Sequence, residues 1–400
     1  MFFSLTLFAF SVVFSVTAVE AALFLALITL IYKKTQEKTL ADIWPALRSH
    51  QLFIPWMAYL GVCLLTSLTA YYPVKGLGQL NSDFLKYLCF STLLFTVKKE
   101  HLPRLSAVYI SAAVLAAFAG FFEVIRSIAA HGPGLARANG FMNAVRYAEV
   151  LTIAFALLLS RALLPEAETF RRENLFYKLA GAAVFTAVVF SQTRSAYLGL
   201  LIVMLTMFVF VKKTRFKLLA LSGLMLAGGL AAAALVPAVK DRVEAMVKYN
   251  RSDYSANSAS TGINVRIELW KLGYKMFKAH PVVGVGPDNI KKVFKKYHPD
   301  PFPEEGIYGT LNNLYIHQAA ERGTLGLAAL ALLFGAMFIF ALKGYRASGS
   351  PYALWALCAL PAFYVMNITE ISFQHVHTSF AIFLALAFSA AAEQEKKLNG

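Results

Sequence analysis

The stretch LSAVYISAAVLAAFAGFFEVI, residues 105–125, holds one formal charge, Glu123, in 21 positions. A bilayer core about 30 Å thick needs roughly 20 apolar residues at about 1.5 Å each. The stretch has no polar stripe, so it does not read as a helix lying on a water-facing surface. It reads as a transmembrane helix.

Similar blocks recur on both sides of it. Hydrophobic residues make up 58% of the 400 and charged residues 15%, and mean hydropathy is +0.58. A soluble domain is about a quarter charged. The sequence therefore predicts an all-α polytopic membrane protein with about twelve spans: 2–17, 18–32, 51–70, 83–97, 105–125, 148–164, 178–192, 195–211, 217–236, 325–342, 352–369 and 378–392. Residues 2–32 are expected to form two short helices turning near Val19-Glu20. Glu20, Lys86, Glu123 and Glu149 read as span-end charges.

Lys and Arg outnumber Asp and Glu by 38 to 22. Alternate short loops carry them: Lys33-Lys34, Lys98-Lys99, Arg171-Arg172, Lys212-Lys213 and Lys343. Cations concentrate on the cytoplasmic side of a membrane protein. Both termini are then cytoplasmic, and much of the net +16 is topology rather than a nucleic-acid surface. Residues 1–236 form one set of spans, 237–324 a large periplasmic loop with short helices, and 325–400 the last spans and a tail. Within 237–311 stand twelve Lys/Arg and eight Asp/Glu, more cations than topology asks of an outer segment. Cys63, Cys89 and Cys358 all lie in apolar segments and read as packing residues.

No P-loop, dinucleotide glycine fingerprint or zinc-binding spacing is present. The outer side offers arginines instead. Arg194, in Ser191-Gln192-Thr193-Arg194-Ser195-Ala196-Tyr197, sits in a very short turn between two spans. It reads either as a ligand for an anion, since a guanidinium fork suits phosphate, or as a rim arginine reaching headgroups. Arg266, Trp270, Tyr274 and Phe277 share one face of a helix over Asn264–Lys278. A surface ion pair, for instance with Glu268, is the alternative for Arg266. Arg137 and Arg146 lie in an outer loop before the sixth span, where a ligand role and an ordinary rim charge look alike. The patch 311–326 brings Asn312, Asn313, His317 and Gln318 ahead of span ten, with His317 its one group titrating near neutrality.

At these residues the chain resembles the O-antigen ligase and polymerase family. The resemblance covers roughly 130–395. It rests on Ser-Gln-Thr-Arg194-Ser-Ala-Tyr-Leu-Gly, Arg266-Ile-Glu-Leu-Trp, His280-Pro-Val-Val-Gly-Val-Gly-Pro and Asn312-Asn313-Leu-Tyr-Ile-His317-Gln-Ala-Ala-Glu321-Arg322-Gly323. It implies a glycosyltransferase that moves a glycan from undecaprenyl pyrophosphate to an acceptor, with no metal or cofactor. The acceptor is lipid A–core sugar in ligases, another repeat unit in polymerases, and a protein serine in O-oligosaccharyltransferases. It implies that Arg194 and Arg266 hold the pyrophosphate, with Arg137 and Arg146 as further candidates, and that a periplasmic histidine deprotonates the acceptor. One position departs from the family: its usual histidine is Asn312 here, and an amide cannot serve as a base. The catalytic expectation then moves to His317 beside Asn312, with His375, Glu321 or another group of the outer loop before Thr378 as the alternatives. A transporter is the rival from another class; it predicts charges in mid-span.

Overall fold

The computed structural model describes residues 1–131, 137–164, 171–212, 215–216, 223, 261–298 and 307–398. All regular structure among them is helical. The helices are α1 (Phe2–Ser11), α2 (Val16–Gln36), α3 (Ile43–Ser49), α4 (Phe53–Leu68), α5 (Pro73–Thr96), α6 (Leu102–His131) and α7 (Ala144–Leu163). There follow α8 (Arg171–Phe190), α9 (Arg194–Phe210), α10 (Thr261–Ala279), α11 (Ile290–Tyr297), α12 (Leu314–Ser348), α13 (Pro351–Met366) and α14 (Val376–Leu398).

Five described segments are long and apolar enough to cross a membrane: Val16–Gln36, Lys99–Ala130, Arg172–Phe190, Leu314–Ser348 and Val376–Glu393. The bent pair Leu40–Ser49 and Phe53–Leu68, turning by 88°, makes a sixth if it is one span. The expected twelve also counts shorter apolar helices such as Phe2–Ser11, Arg194–Phe210 and Pro351–Met366. The expected span 217–236, apart from residue 223, and the start of the expected loop, 237–260, lie outside the described residues.

Two sequence expectations are corrected. The turn in the first apolar stretch falls at Val12–Ser15, not at Val19-Glu20. Ser15 has extended backbone and its hydroxyl accepts from Ala18 N at 3.3 Å, so it caps α2 and leaves Glu20 inside that helix. Helix α5 starts at Pro73, well before residue 83, because proline suits the first helical position. Lys86 therefore lies mid-helix and buried, not at a span end.

Helix α13 is buried on nearly every side, as is most of α14. An apolar helix without a polar stripe belongs at the centre of such a bundle. Trp355 on α13 donates to the carbonyl of Ile153 on α7 at 2.9 Å, fixing two central helices together. At one end of the bundle Arg161 lies between the rings of Tyr177 and Tyr352, donating to both hydroxyls at 3.0 Å.

The opposite end is organised by a break in α12. Gly323 has φ +61°, a conformation that side-chain-bearing residues avoid. The break strands backbone groups, and Pro281–Gly286 satisfies them. Val285 N and Gly286 N donate to the carbonyls of Ala320 and Glu321, both at 2.9 Å; Thr324 N donates to Pro281 O at 2.8 Å. The approach is so close that a Cβ on Gly284 would stand 2.3 Å from the Glu321 carbonyl carbon. Tyr71 N, in the α4–α5 corner, donates to Val285 O at 3.2 Å, so this corner docks on the same loop. Thus His280-Pro-Val-Val-Gly-Val-Gly-Pro and Glu321-Arg322-Gly323, distant in sequence, are two halves of one backbone junction.

Candidate active site

Four chain segments meet around the loop 367–375, between α13 and α14. The N-terminus of α12 is pinned to it: Leu314 N donates to the carbonyls of Asn367 and Glu370 at 2.9 and 3.0 Å. Asn313 caps this helix, its side-chain oxygen accepting from Ile316 N at 3.0 Å. Asn312 precedes it with φ +47° and is half-buried.

Arg266 reaches the loop from α10. Its Nη1 donates to Thr369 O at 2.7 Å and its Nη2 to Glu370 Oε1 at 2.5 Å. The Glu268 alternative does not form; Glu268 pairs Lys271 at 2.7 Å. Burial raises the carboxyl pKa of Glu370 above its ordinary value, and Arg266 opposes that rise.

Arg146 and Glu149 approach from α7. Arg146 is exposed, and its charge is felt at Glu370 and at His375. Burial first, and Arg146 second, push the imidazole of His375 down to about 3, so it stays neutral. Glu149 is fully buried and accepts from Ser372 Oγ at 2.7 Å and from Ser195 Oγ at 3.5 Å. Ser195 follows Arg194, so this carboxylate ties the short 191–193 turn to the 367–375 loop. Arg194 is exposed and opens α9. Arg137 braces the turn, its Nε donating to Ser191 O at 2.9 Å and its Nη2 to Thr193 Oγ1 at 3.4 Å.

His317 faces elsewhere. It is 2% exposed, its Nε2 lies 3.3 Å from Glu321 Oε2, and its Nδ1 is buried without a hydrogen-bond partner. Glu321 also accepts from Asp288 N at 2.8 Å. Next to it Arg322, 1% exposed, donates to Gln318 Oε1 at 3.1 Å and to Asp83 Oδ2 at 2.8 Å. Lys86 pairs Asp83 at 3.0 Å. These buried charges balance: Asp83 and Glu321 against Lys86 and Arg322. The structure thus sets Arg266 on the loop with the charge of Arg146 reaching it, places Arg137 on the turn that opens into Arg194, and sets His317 in a separate buried network.

The sequence places Glu370 in the last outer loop with His375 and His377 but gives it no role, and it reads Glu149 as a span-end charge. Their signal was weak: single acids near span ends, whose partners come from other helices.

Residues 179–331 match the family described as O-antigen ligase. This segment is similar to that family. The matched segment contains Arg194, Arg266, Asn312, His317 and the Gly323 junction; Arg137, Arg146 and Glu370 lie outside it. The match supports membrane glycosyltransferase activity of the ligase or polymerase type. No curated protein matches the chain.

Proposed function

We propose that the chain transfers a glycan from undecaprenyl pyrophosphate to lipid A–core oligosaccharide at the periplasmic face of a bacterial inner membrane, without a metal. The observation that carries the reading is Arg266 on the 367–375 loop, with the charge of Arg146 reaching the same Glu370 and Arg137 bracing the turn that opens into Arg194. Arginines in this setting favour anionic partners, and Arg266 already holds Glu370. Four of them suit a diphosphate, whose oxygens each accept charge-assisted hydrogen bonds.

The reaction needs little else. Undecaprenyl pyrophosphate leaves readily once arginines neutralise its growing charge. On the acceptor side, the family likeness suggests His317 beside Asn312. The burial of His317 against Glu321 supports a part in holding the α12 N-terminus over direct contact with a sugar hydroxyl. Polymerase and protein O-oligosaccharyltransferase activities use the same donor and differ only in acceptor.

A transporter reading gains one observation, the buried Asp83–Lys86–Arg322 network, since charge within a bundle often marks a transport path. The family likeness favours the transferase. The test is the purified chain in vesicles with undecaprenyl-pyrophosphate glycan and lipid A–core. Glycan covalently joined to lipid A–core supports the transferase; movement of the donor across the bilayer with no new glycolipid supports the transporter.

A further inference from the structure

The donor-site reading leaves the acceptor's proton without a destination. Asn312 cannot take it, and His317 is enclosed on Glu321. His375 is nearby and neutral, but a group whose pKa lies near 3 is a feeble base at neutral pH. Glu149 is held by Ser372 and Ser195 and is fully buried.

Glu370 differs from all of these. Its carboxylate lies against Arg266, the arginine expected to hold the donor. Its own carbonyl accepts from Leu314 N, two residues past Asn312. It therefore stands beside the position where the family's histidine would be, on the arginine that the leaving group would occupy.

We infer that Glu370 is the general base of the transfer, a carboxylate that neutralises Arg266 in the resting protein and is released when the donor's diphosphate takes that guanidinium. This rests on the donor-site reading above. The balance is direct. The acceptor O–H proton passes to a Glu370 carboxylate oxygen, and the acceptor oxygen bonds to the anomeric carbon. The bond from that carbon to the phosphate oxygen breaks, and its electron pair leaves with undecaprenyl pyrophosphate.

The exchange also tunes the base. Groups whose charge bears on Glu370 are Arg266 from α10 and Arg146 and Glu149 from α7. Losing Arg266 as a partner and gaining phosphate oxygens nearby both raise the proton affinity of the carboxylate. Donor binding thus makes Glu370 more basic at the moment a base is needed. Before that, the ion pair keeps the arginine from binding stray anions.

The experiment uses the full chain in proteoliposomes, with undecaprenyl pyrophosphate carrying a labelled glycan, and lipid A–core as acceptor. Binding of undecaprenyl pyrophosphate is read separately, as a thermal shift of the detergent-solubilised chain. Glu370→Gln keeps an oxygen to accept from Arg266, so the fold is retained and the parental melting temperature checks it. The expected result is transfer reduced about a hundredfold or more, the usual scale for removing a general base, with donor binding equal or tighter. Glu370→Asp retains part of the rate, and His375→Gln is near parental. Parental transfer by Glu370→Gln overturns the base assignment and leaves the donor site standing. Loss of both binding and transfer makes Glu370 a donor-positioning residue and also overturns it. Failure of the unaltered chain to bind undecaprenyl pyrophosphate overturns the donor-site reading and this inference together.

Discussion

Arg266 and Glu370 are 104 residues apart in sequence, yet their side chains meet at 2.5 Å, with the carboxylate 11% exposed and the guanidinium 32%. The pair closes α10 onto the loop after α13. It also occupies a guanidinium that the proposed donor needs, so substrate binding must exchange one anion for another. A swap of similar charges costs less than filling a site from water, because the guanidinium is already partly desolvated.

The exchange gives transfer a pH signature. The active form of Glu370 is the carboxylate, so rate falls as pH falls through its pKa. Burial already lifts that pKa above the ordinary glutamate value in the resting chain, and loss of Arg266 to the donor lifts it further. The acid limb of kcat is expected at higher pH than that of kcat/KM, since the first reports the donor complex and the second the free protein. Coincident limbs in steady-state profiles would count against the exchange.

The junction at Gly323 sets a stability prediction. A Cβ there would lie 2.3 Å from the backbone of Val282, and φ is +61°. Gly323→Ala should lower the melting temperature of the solubilised protein. A side chain held at this φ of +61° and ψ of −156° costs about 1–3 kcal/mol, and displacement of the 281–286 loop adds to it. An unchanged melting curve would mean that the loop does not dock on the broken helix.

The buried charges on α5 and α12 should act as a unit. Asp83→Asn and Arg322→Gln each remove one partner of a 2.8 Å pair that is about 1% exposed on both sides. In a double-mutant cycle on thermal stability, contacting residues typically couple by about 0.5–3 kcal/mol. Strictly additive effects would show that the two side chains do not meet.

His317 belongs to that unit. His317→Ala is expected to lower stability while the surviving folded fraction keeps turnover within about tenfold of the parent, less than the loss of a base would cost. A folded His317→Ala protein slowed a hundredfold would return the base to His317. Asn312→His, which restores the family's usual residue beside Glu370, should leave transfer intact or raise it.

The apolar blocks of the sequence carried the helices well, because a span must be apolar through most of its length. The ends were less legible. Ser15 caps α2 by a local hydrogen bond that a hydropathy reading passes over, so the first turn was placed at Glu20. Lys86 looked terminal because the polar first half of α5 does not resemble a span. Arg194 and Arg266 were legible as site candidates since an arginine at an outer turn needs a reason. Glu370 was not, because its meaning lies in a partner on another helix. Likewise nothing in Pro281–Pro287 announces that its amides complete the broken helix at Gly323.

The central claim is that arginines at this loop hold a polyprenyl pyrophosphate donor for transfer, and it is tested most directly by the rate of labelled-glycan transfer from undecaprenyl pyrophosphate to lipid A–core in proteoliposomes of Arg194→Ala and Arg266→Ala. Each charge-assisted contact is worth about 1.5–3 kcal/mol. Each variant should therefore lose roughly ten- to a hundredfold or more at parental protein level, with lysine in place of arginine restoring only part of the rate because the two-oxygen fork is gone. Parental transfer by both alanine variants would contradict the account.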